Sequence, residues 1–442
     1  MPIYDFFIYF NNNVLLIPSI ILFLGTAIAI SCKTRFIQLR GFIRFIRFIM
    51  YGMNQDRAII SDTNSIQTVS PFRALFTAMG TTMGMGNVVG PSIAIMLGGP
   101  GALFWLILYM FFGSAIKYVE VVLALKTRIC TQEGYVFGGP MLYLQQVHPF
   151  LGYFYGIVMS CLFVVWSGFQ ANTMANICAL ETIPPYISGF FLAIIMLAAV
   201  RGGIERISAI ASKLVPLMFC LYIIFALTII ISNPHALLAA FVLVGKAIFS
   251  PESVLGALGG ITFLHAIRHG VYQGIFITEA GVGTSSIPHS LARTHNPEDQ
   301  GILAACSTIA DASLSLISGI IVLVTGVWKY GSVRSTLIYE AFKLHAPLFG
   351  DIVLLASIAL LVITTIIGNS FNGMQNFTFL TNHRFLNPYI LFSACTIFIG
   401  SLVPMPLILE MTNTVLACAA FMNLIGILII VFYHKNQKLQ MK

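Results

Sequence analysis

Residues 74–116 carry no charged side chain, yet they include Thr81–Pro91, which reads TTMGMGNVVGP. Gly80, Gly84, Gly86 and Gly90 fall in this stretch with Thr82 and Asn87. If a helix unwinds here, main-chain N–H and C=O groups are freed away from water. N–H groups at the start of a half-helix suit a carboxylate, and freed carbonyls can replace the water shell of an alkali cation. Glycine supplies the backbone freedom and the room. Other groups could share this chemistry. Thr364 and Thr365 are adjacent in an apolar run; hard oxygens suit an alkali cation, although one hydroxyl of such a pair can bond back to its own helix. Gln170 and Asn172 lie in WSGFQANTMANIC, where buried amides bridge helices or reach a ligand. Asp311 sits roughly 15 Å deep at 1.5 Å per residue, and cation binding, protonation and helix locking are all open to it. Lys117 and Glu120, three apart, are expected to pair with each other.

Rival readings of the glycine stretch are weaker. Gly86 and Gly90 form G-x-x-x-G, a helix-packing face. Gly84-Met85-Gly86 matches part of a dinucleotide fingerprint, but the spacing to Gly90 is wrong and no strand–turn–helix unit surrounds it. A selectivity filter fits a fourfold pore better than one chain with two unlike breaks.

Whatever these residues do, apolar elements must position them. Of 442 residues, 58% are hydrophobic and 9% charged, with mean hydropathy +0.91. A soluble domain carries roughly 25% charged residues, so an ordinary soluble enzyme is excluded. The expected fold is an all-α polytopic membrane protein with 11 transmembrane helices: 14–32, 74–97, 101–125, 151–177, 183–200, 214–232, 253–277, 301–327, 350–373, 388–404 and 408–432. The first is not read as a signal peptide, because Asp5 and no Lys or Arg precede it. Lys and Arg divide 18 against 4 between the two sides, with Lys117 inside a span. The N-terminus is therefore expected outside and the C-terminus in the cytoplasm, in the plasma membrane. The net +8 is topological, with no nucleic-acid partner implied. Eight scattered cysteines suggest neither disulfides nor a metal site. Within 33–70, Arg40, Arg44 and Arg47 share a helical face suited to anionic headgroups of the inner leaflet.

A single membrane transport domain, 1–442, is expected. Its first glycine-rich span has a counterpart five spans later, holding Gly256, Gly259, Gly260, Gly270 and Gly274. Interrupted segments at matching places in two halves point to a 5+5 inverted repeat, here 71–232 and 251–432, with 14–32 as an additional helix.

Beyond these patterns, residues 70–128 resemble the corresponding region of the alanine/glycine:cation symporter family. So do GGPMLYL (138–144), RGGIERI (201–207), GIFITEAGVGTSSIPHSLA (274–292), VTGVW (324–328) and TTIIG (364–368). The resemblance implies a sodium-symporter-type core of ten helices, and alanine or glycine carried with Na⁺ or H⁺. TMGMGN (82–87) also resembles the unwound first core helix of neurotransmitter-type sodium symporters. By that likeness the amides of Met85 and Gly86 face the substrate carboxylate, and the Thr82 carbonyl faces its ammonium group. The carbonyls of Gly80 and Met83, with Thr364 and Thr365, bind the cation. Gln170 becomes a pocket residue, and Gly259 and Gly260, with Thr262, are the matching candidates in the second break. Asn87 and Asp311 are candidates for cation or proton coupling. Asn369 stands where the family often has tryptophan, turning a large apolar wall into a small polar one. Met422-Asn423 replaces a proline-asparagine pair, and Thr278 an asparagine.

The resulting expectation is a secondary active transporter importing a small neutral amino acid, alanine, glycine or D-alanine, with Na⁺ or H⁺ by alternating access. It is not an enzyme, and no cofactor or metal beyond Na⁺ is implied. An ion channel and a polytopic membrane enzyme are the alternatives. A channel would conduct without amino acid; an enzyme would want a constellation such as H-E-x-x-H, which the sequence lacks. His265, His269, His289 and His295 group in sequence as a chance loop cluster. The lipid bilayer is the other partner, and the sequence does not fix the oligomeric state.

Overall fold

Proline sets many of the helix starts. Pro71, Pro149, Pro185, Pro234 and Pro297 each occupy a first-turn position, where the missing N–H is no loss. At the first of these, the Ser70 hydroxyl accepts from the Arg73 N–H at 3.3 Å. The computed structural model describes residues 2–59, 68–132, 134–248, 263–294, 296–330, 336–345, 350–382 and 384–433.

Along the chain, α1 (Pro2–Tyr9) passes through a π-helical segment, Phe10–Leu15, into α2 (Leu16–Lys33). This pair bends by 54°. Then come α3 (Ile37–Ile59), α4 (Pro71–Thr82), α5 (Met85–Gly98) and α6 (Ala102–Thr127). A short antiparallel hairpin, Ile129–Cys130 with Val136–Phe137, precedes α7 (Pro140–Gln145). The series continues with α8 (Pro149–Leu180), α9 (Pro185–Val200), α10 (Gly203–Ile231), α11 (Pro234–Ala247) and α12 (Phe263–Thr278). It ends with α13 (Ser286–Ser290), α14 (Pro297–Thr325), α15 (Leu337–His345), α16 (Gly350–Thr381), α17 (Leu386–Gly400) and α18 (Met405–Phe432).

A helix lies over at least part of every segment expected to span. Among the described residues, six helices are individually long and apolar enough to cross a membrane, or seven if the bent α1–α2 pair is one span. The remaining expected spans are short or interrupted. At 1.5 Å per residue neither α4 nor α5 alone covers the roughly 30 Å hydrocarbon core. One apolar helix, α11, was not among the expected spans. It starts at Asn233-Pro234, inside the stretch between the two expected halves.

The second glycine cluster is described only in part. Gly256, Gly259, Gly260 and Thr262 lie outside the described residues. Gly270 and Gly274 do not interrupt anything: α12 runs continuously through them. A Cβ at Gly270 would stand 2.5 Å from the Ala102 carbonyl oxygen, and one at Gly274 2.9 Å from the Tyr109 ring. These two glycines let α12 pack against α6 and are not part of a break.

The packing separates the helices into two neighbourhoods. α5, α6, α12 and α14 lie against one another, while α8 packs on α16, α17 and α9, and α16 also packs on α10. The first interrupted helix straddles them. α4 rests mainly on α10 and α16, whereas α5 rests mainly on α12 and α14.

Candidate functional site

α4 stops at Thr82 and α5 begins at Met85, so Met83 and Gly84 form the link. Met83 has φ −79° and ψ 81°, and Gly84 is extended with φ −128° and ψ −161°. Gly84 is therefore not required by a left-handed backbone. It is required by proximity: a Cβ there would lie 2.6 Å from Thr365 Oγ1 and 3.1 Å from Gln170 Nε2. α16 and α8 reach the break through these two side chains.

The unwound main chain is held by named partners. The Met83 carbonyl accepts from the Thr365 hydroxyl at 3.2 Å. The Met85 N–H donates to Gln170 Oε1 at 3.0 Å, and the Gly84 N–H to Asn87 Oδ1 at 3.2 Å. The Asn87 N–H in turn donates to the Gly84 carbonyl at 3.1 Å, so Asn87 caps α5 from within.

Asp311 of α14 meets the break from the other side. Its Oδ1 accepts from the Thr82 hydroxyl at 3.2 Å, and its carbonyl from Asn87 Nδ2 at 3.3 Å. One residue thereby ties the last position of α4 to the first turn of α5. Lys117 Nζ of α6 stands 3.5 Å from Asp311 Oδ2, with both side chains almost wholly buried. This corrects the expected Lys117–Glu120 pair. Glu120 Oε1 instead accepts from Asn423 Nδ2 at 2.7 Å and from the Gly281 N–H at 3.0 Å. A local i, i+3 pair contributes only a few tenths of a kcal/mol. A buried charge needs a counter-charge at its own depth, and α14 supplies it.

Around the substituted asparagine pair, Tyr143 OH donates to Asn423 Oδ1 at 2.6 Å, and Asn423 Nδ2 also reaches the Gly281 carbonyl at 2.9 Å. Met422 thus leaves Asn423 fully engaged. Glu279, at φ +57°, takes a hydrogen bond from Thr284. Thr278 bonds back to the Gly274 carbonyl at 2.7 Å and accepts from the Ala280 N–H at 3.3 Å, capping the end of α12. The sequence signals for this network were the intramembrane position of Glu120 and the motif residues around Thr278 and Asn423.

The other expected site residues fall as follows. Gly80 faces Val215 and Ala211 of α10, and its Cβ position is 3.9 Å from the Thr364 carbonyl oxygen. The Thr364 hydroxyl donates within its own helix, to Leu360 O at 2.8 Å, so the two threonines split: one turns inward on α16, the other crosses to Met83. Gly86 abuts Phe276 of α12, whose ring meets Trp166 and Phe169 edge-on with centroids 5.7 Å and 5.3 Å away. That aromatic cluster was not foreseen. Asn369 is buried on α16, and neither polar atom of its side chain has a partner among the described residues. Asn172 bridges helices, donating to Gly400 O at 2.9 Å and Val403 O at 2.6 Å. Gly259 and Gly260 lie outside the described residues.

The histidines do not form one loop cluster: His265 and His269 sit on helix α12 with their rings stacked at 6.3 Å, and His289 lies on α13, paired with Gln300 at 2.6 Å. Burial pushes the His289 ring down to about 3, with Lys117 adding to the effect, so it is neutral at physiological pH. His295 lies outside the described residues.

The break therefore gathers Thr82, Met83, Met85, Asn87, Gln170, Thr365 and Asp311 from five helices and the link between α4 and α5. Gly80 and Thr364 flank it, and Asn369 stands one turn beyond Thr365. Residues 1–439 match the sodium:alanine symporter family. The chain is 30% identical to the sodium/alanine symporter AgcS of Methanococcus maripaludis, over 93% of this chain and 91% of that one. Among solved structures it shares its fold with MhsT in complex with L-phenylalanine, at TM-score 0.60 and 16% identity, covering 85% of this chain and 92% of MhsT. A manganese transporter variant from Eremococcus coleocola aligns at TM-score 0.57 and 14% identity, over 84% and 83%.

Proposed function

Since the chain belongs to the sodium:alanine symporter family and is a membrane transporter rather than an enzyme, we propose that it imports a small neutral amino acid of the alanine/glycine type together with a sodium ion. The observation that carries this reading is the unwound link Met83–Gly84, whose main-chain groups lie between two helix neighbourhoods and are held by side chains of α16, α8 and α5 rather than by a helix. In the proposed cycle the amides of Met85 and Gly86 take the substrate carboxylate, and the Thr82 carbonyl takes its ammonium group. Gln170 Oε1, now on the Met85 N–H, stands where a carboxylate oxygen would accept, so binding exchanges one acceptor for another. The carbonyls of Gly80 and Met83 and the hydroxyls of Thr364 and Thr365 supply oxygens for sodium. Asn87 and Asp311 couple that charge to the backbone of both half-helices.

Eleven spans, two inverted five-helix halves, an outer N-terminus and a cytoplasmic C-terminus complete the proposal. Alternating access follows if the neighbourhood of α5, α6, α12 and α14 rocks against the other around the break. At 100 mV, one inward cation contributes about 2.3 kcal/mol before any concentration gradient.

Uptake of radiolabelled alanine and glycine into proteoliposomes, with sodium and proton gradients imposed separately, tests the reading. Accumulation driven by sodium is expected, with D-alanine as a competitor probing the handedness of the site. Uptake driven by protons alone replaces the coupling ion. Uptake indifferent to both gradients overturns symport.

A further inference from the structure

On α16, Thr365, Asn369, Asn372 and Asn376 follow one another at offsets of four, three and four residues. They therefore share one helix face. That face meets the break: Thr365 holds the Met83 carbonyl, and Gly368 lies so close to α4 that a Cβ would stand 2.5 Å from Thr81 Cγ2. The three asparagines are buried at 1%, 0% and 0% exposure. Asn376 ties its Nδ2 to the Asn372 carbonyl at 2.8 Å. Asn369 and Asn372 are different, because Nδ2 and Oδ1 of both have no protein partner among the described residues.

Burying an amide without partners is costly, which is why buried asparagines normally act as Asn172 does, with both donor contacts made. Two such amides, one and two turns from the groups that hold the break, are poor structural glue. They are well placed to read a ligand.

We propose that Asn369 and Asn372 form the side-chain subsite for the transported amino acid, and that its preferred substrates carry a hydroxyl or carboxamide. The proposal rests on the amino-acid:sodium symport reading above, and replaces its alanine/glycine side-chain preference with a small polar one. Each asparagine offers two N–H donors and a carbonyl acceptor. A hydroxyl or carboxamide presents both a donor and an acceptor and answers both. A carboxylate side chain would leave Oδ1 facing oxygen, and an ammonium would leave the Nδ2 hydrogens facing hydrogen. An alkyl side chain would satisfy nothing. Reach agrees with the chemistry. At 1.5 Å per residue, Asn369 lies about 6 Å along the axis from Thr365 and Asn372 about 10 Å. A serine or threonine side chain extends toward the first, and an asparagine or glutamine side chain toward both.

The test is sodium-driven uptake of radiolabelled alanine and serine by the full-length protein in proteoliposomes, competed by size-matched pairs. The pairs are serine with 2-aminobutyrate, threonine with valine, and asparagine with leucine. The polar member of each pair is expected to compete about tenfold better or more, since a site built to hydrogen-bond a group rejects the analogue lacking it. Asn369→Leu and Asn372→Leu should erase or invert that ratio, and the milder Asn369→Ser should keep part of it. Ligand-induced thermal shifts on the unaltered protein give the same ranking without any variant. Equal competition within each pair overturns the subsite. A ratio unmoved by both leucine variants overturns its assignment to these residues. If no amino acid is taken up under either gradient, the symport reading fails first and this inference falls with it.

Discussion

At the break almost every polar group is engaged. Thr365 holds the Met83 carbonyl, Gln170 the Met85 N–H, Asn87 the Gly84 N–H, and Asp311 the Thr82 hydroxyl. Further along α16, Asn369 and Asn372 bury the same kinds of atom with no partner among the described residues. The contrast separates two tasks. An unwound backbone at membrane depth must be held at all times, because each unsatisfied main-chain group costs several kcal/mol in hydrocarbon. A side chain that recognises cargo has to be free to make its bond when the cargo arrives.

The largest expected effect comes from breaking the held region at its charge. Asp311→Leu strands the Lys117 ammonium and should cost about 3–5 kcal/mol, read as a lower unfolding midpoint in detergent. Adding Lys117→Met should restore most of that stability while sodium-driven uptake stays lost. If the double variant transports normally, Asp311 is a helix lock only. Gly84→Ala ranks next. Its Cβ would press on Thr365 Oγ1 at 2.6 Å, and a β-branched neighbour yields little. A loss of about 1–3 kcal/mol is expected, partly relieved by Thr365→Ala.

Gln170→Leu should leave the Met85 N–H unpaired and cost about 1–3 kcal/mol. If Gln170 stands in for a carboxylate, the substrate-induced rise in midpoint should be larger in Gln170→Leu than in the parent, whereas a purely structural role leaves that rise unchanged or smaller. The smallest effect belongs to the other described ion pair. Lys343 Nζ lies 2.6 Å from Glu181 Oε1, with the side chains 50% and 34% exposed. Hydrogen bonds from Lys343 and Tyr339 hold the Glu181 carboxyl below the usual carboxylate range. Because that value is depressed in the folded state, the pair contributes above the unfolded-state value and is lost as pH falls through the folded one. Lys343→Gln should leave the neutral-pH midpoint nearly unmoved, and its small difference from the parent should vanish in acid and in high salt.

Sequence reached the broken helix because glycines, hydroxyls and an amide coincide where charge is absent. It misplaced the partner of Lys117. Periodicity fixes which face of α6 the ammonium occupies and how deep, but not which helix lies opposite. Gly84 was recognised for the wrong reason: a backbone string cannot reveal that Thr365 and Gln170, hundreds and scores of residues away, leave no space for a methyl group. Gly270 and Gly274 looked like part of a second interruption, yet they serve close packing on α6. Asn372 went unnoticed because a buried asparagine in an apolar helix looks the same in sequence whether it is satisfied, like Asn172, or not.

The bond between Gln170 and Met85 joins α8 of one helix neighbourhood to α5 of the other. On the proposed binding mode, in which the cargo carboxylate takes the Met85 N–H, this bond is a latch that cargo lifts before settling. A measured dissociation constant will therefore report the cargo's own bonds less the strength of the latch. Trimming Gln170 could tighten the grip on cargo while loosening the vacant carrier's hold on itself, and leakage of ions without cargo would be the symptom of that trade.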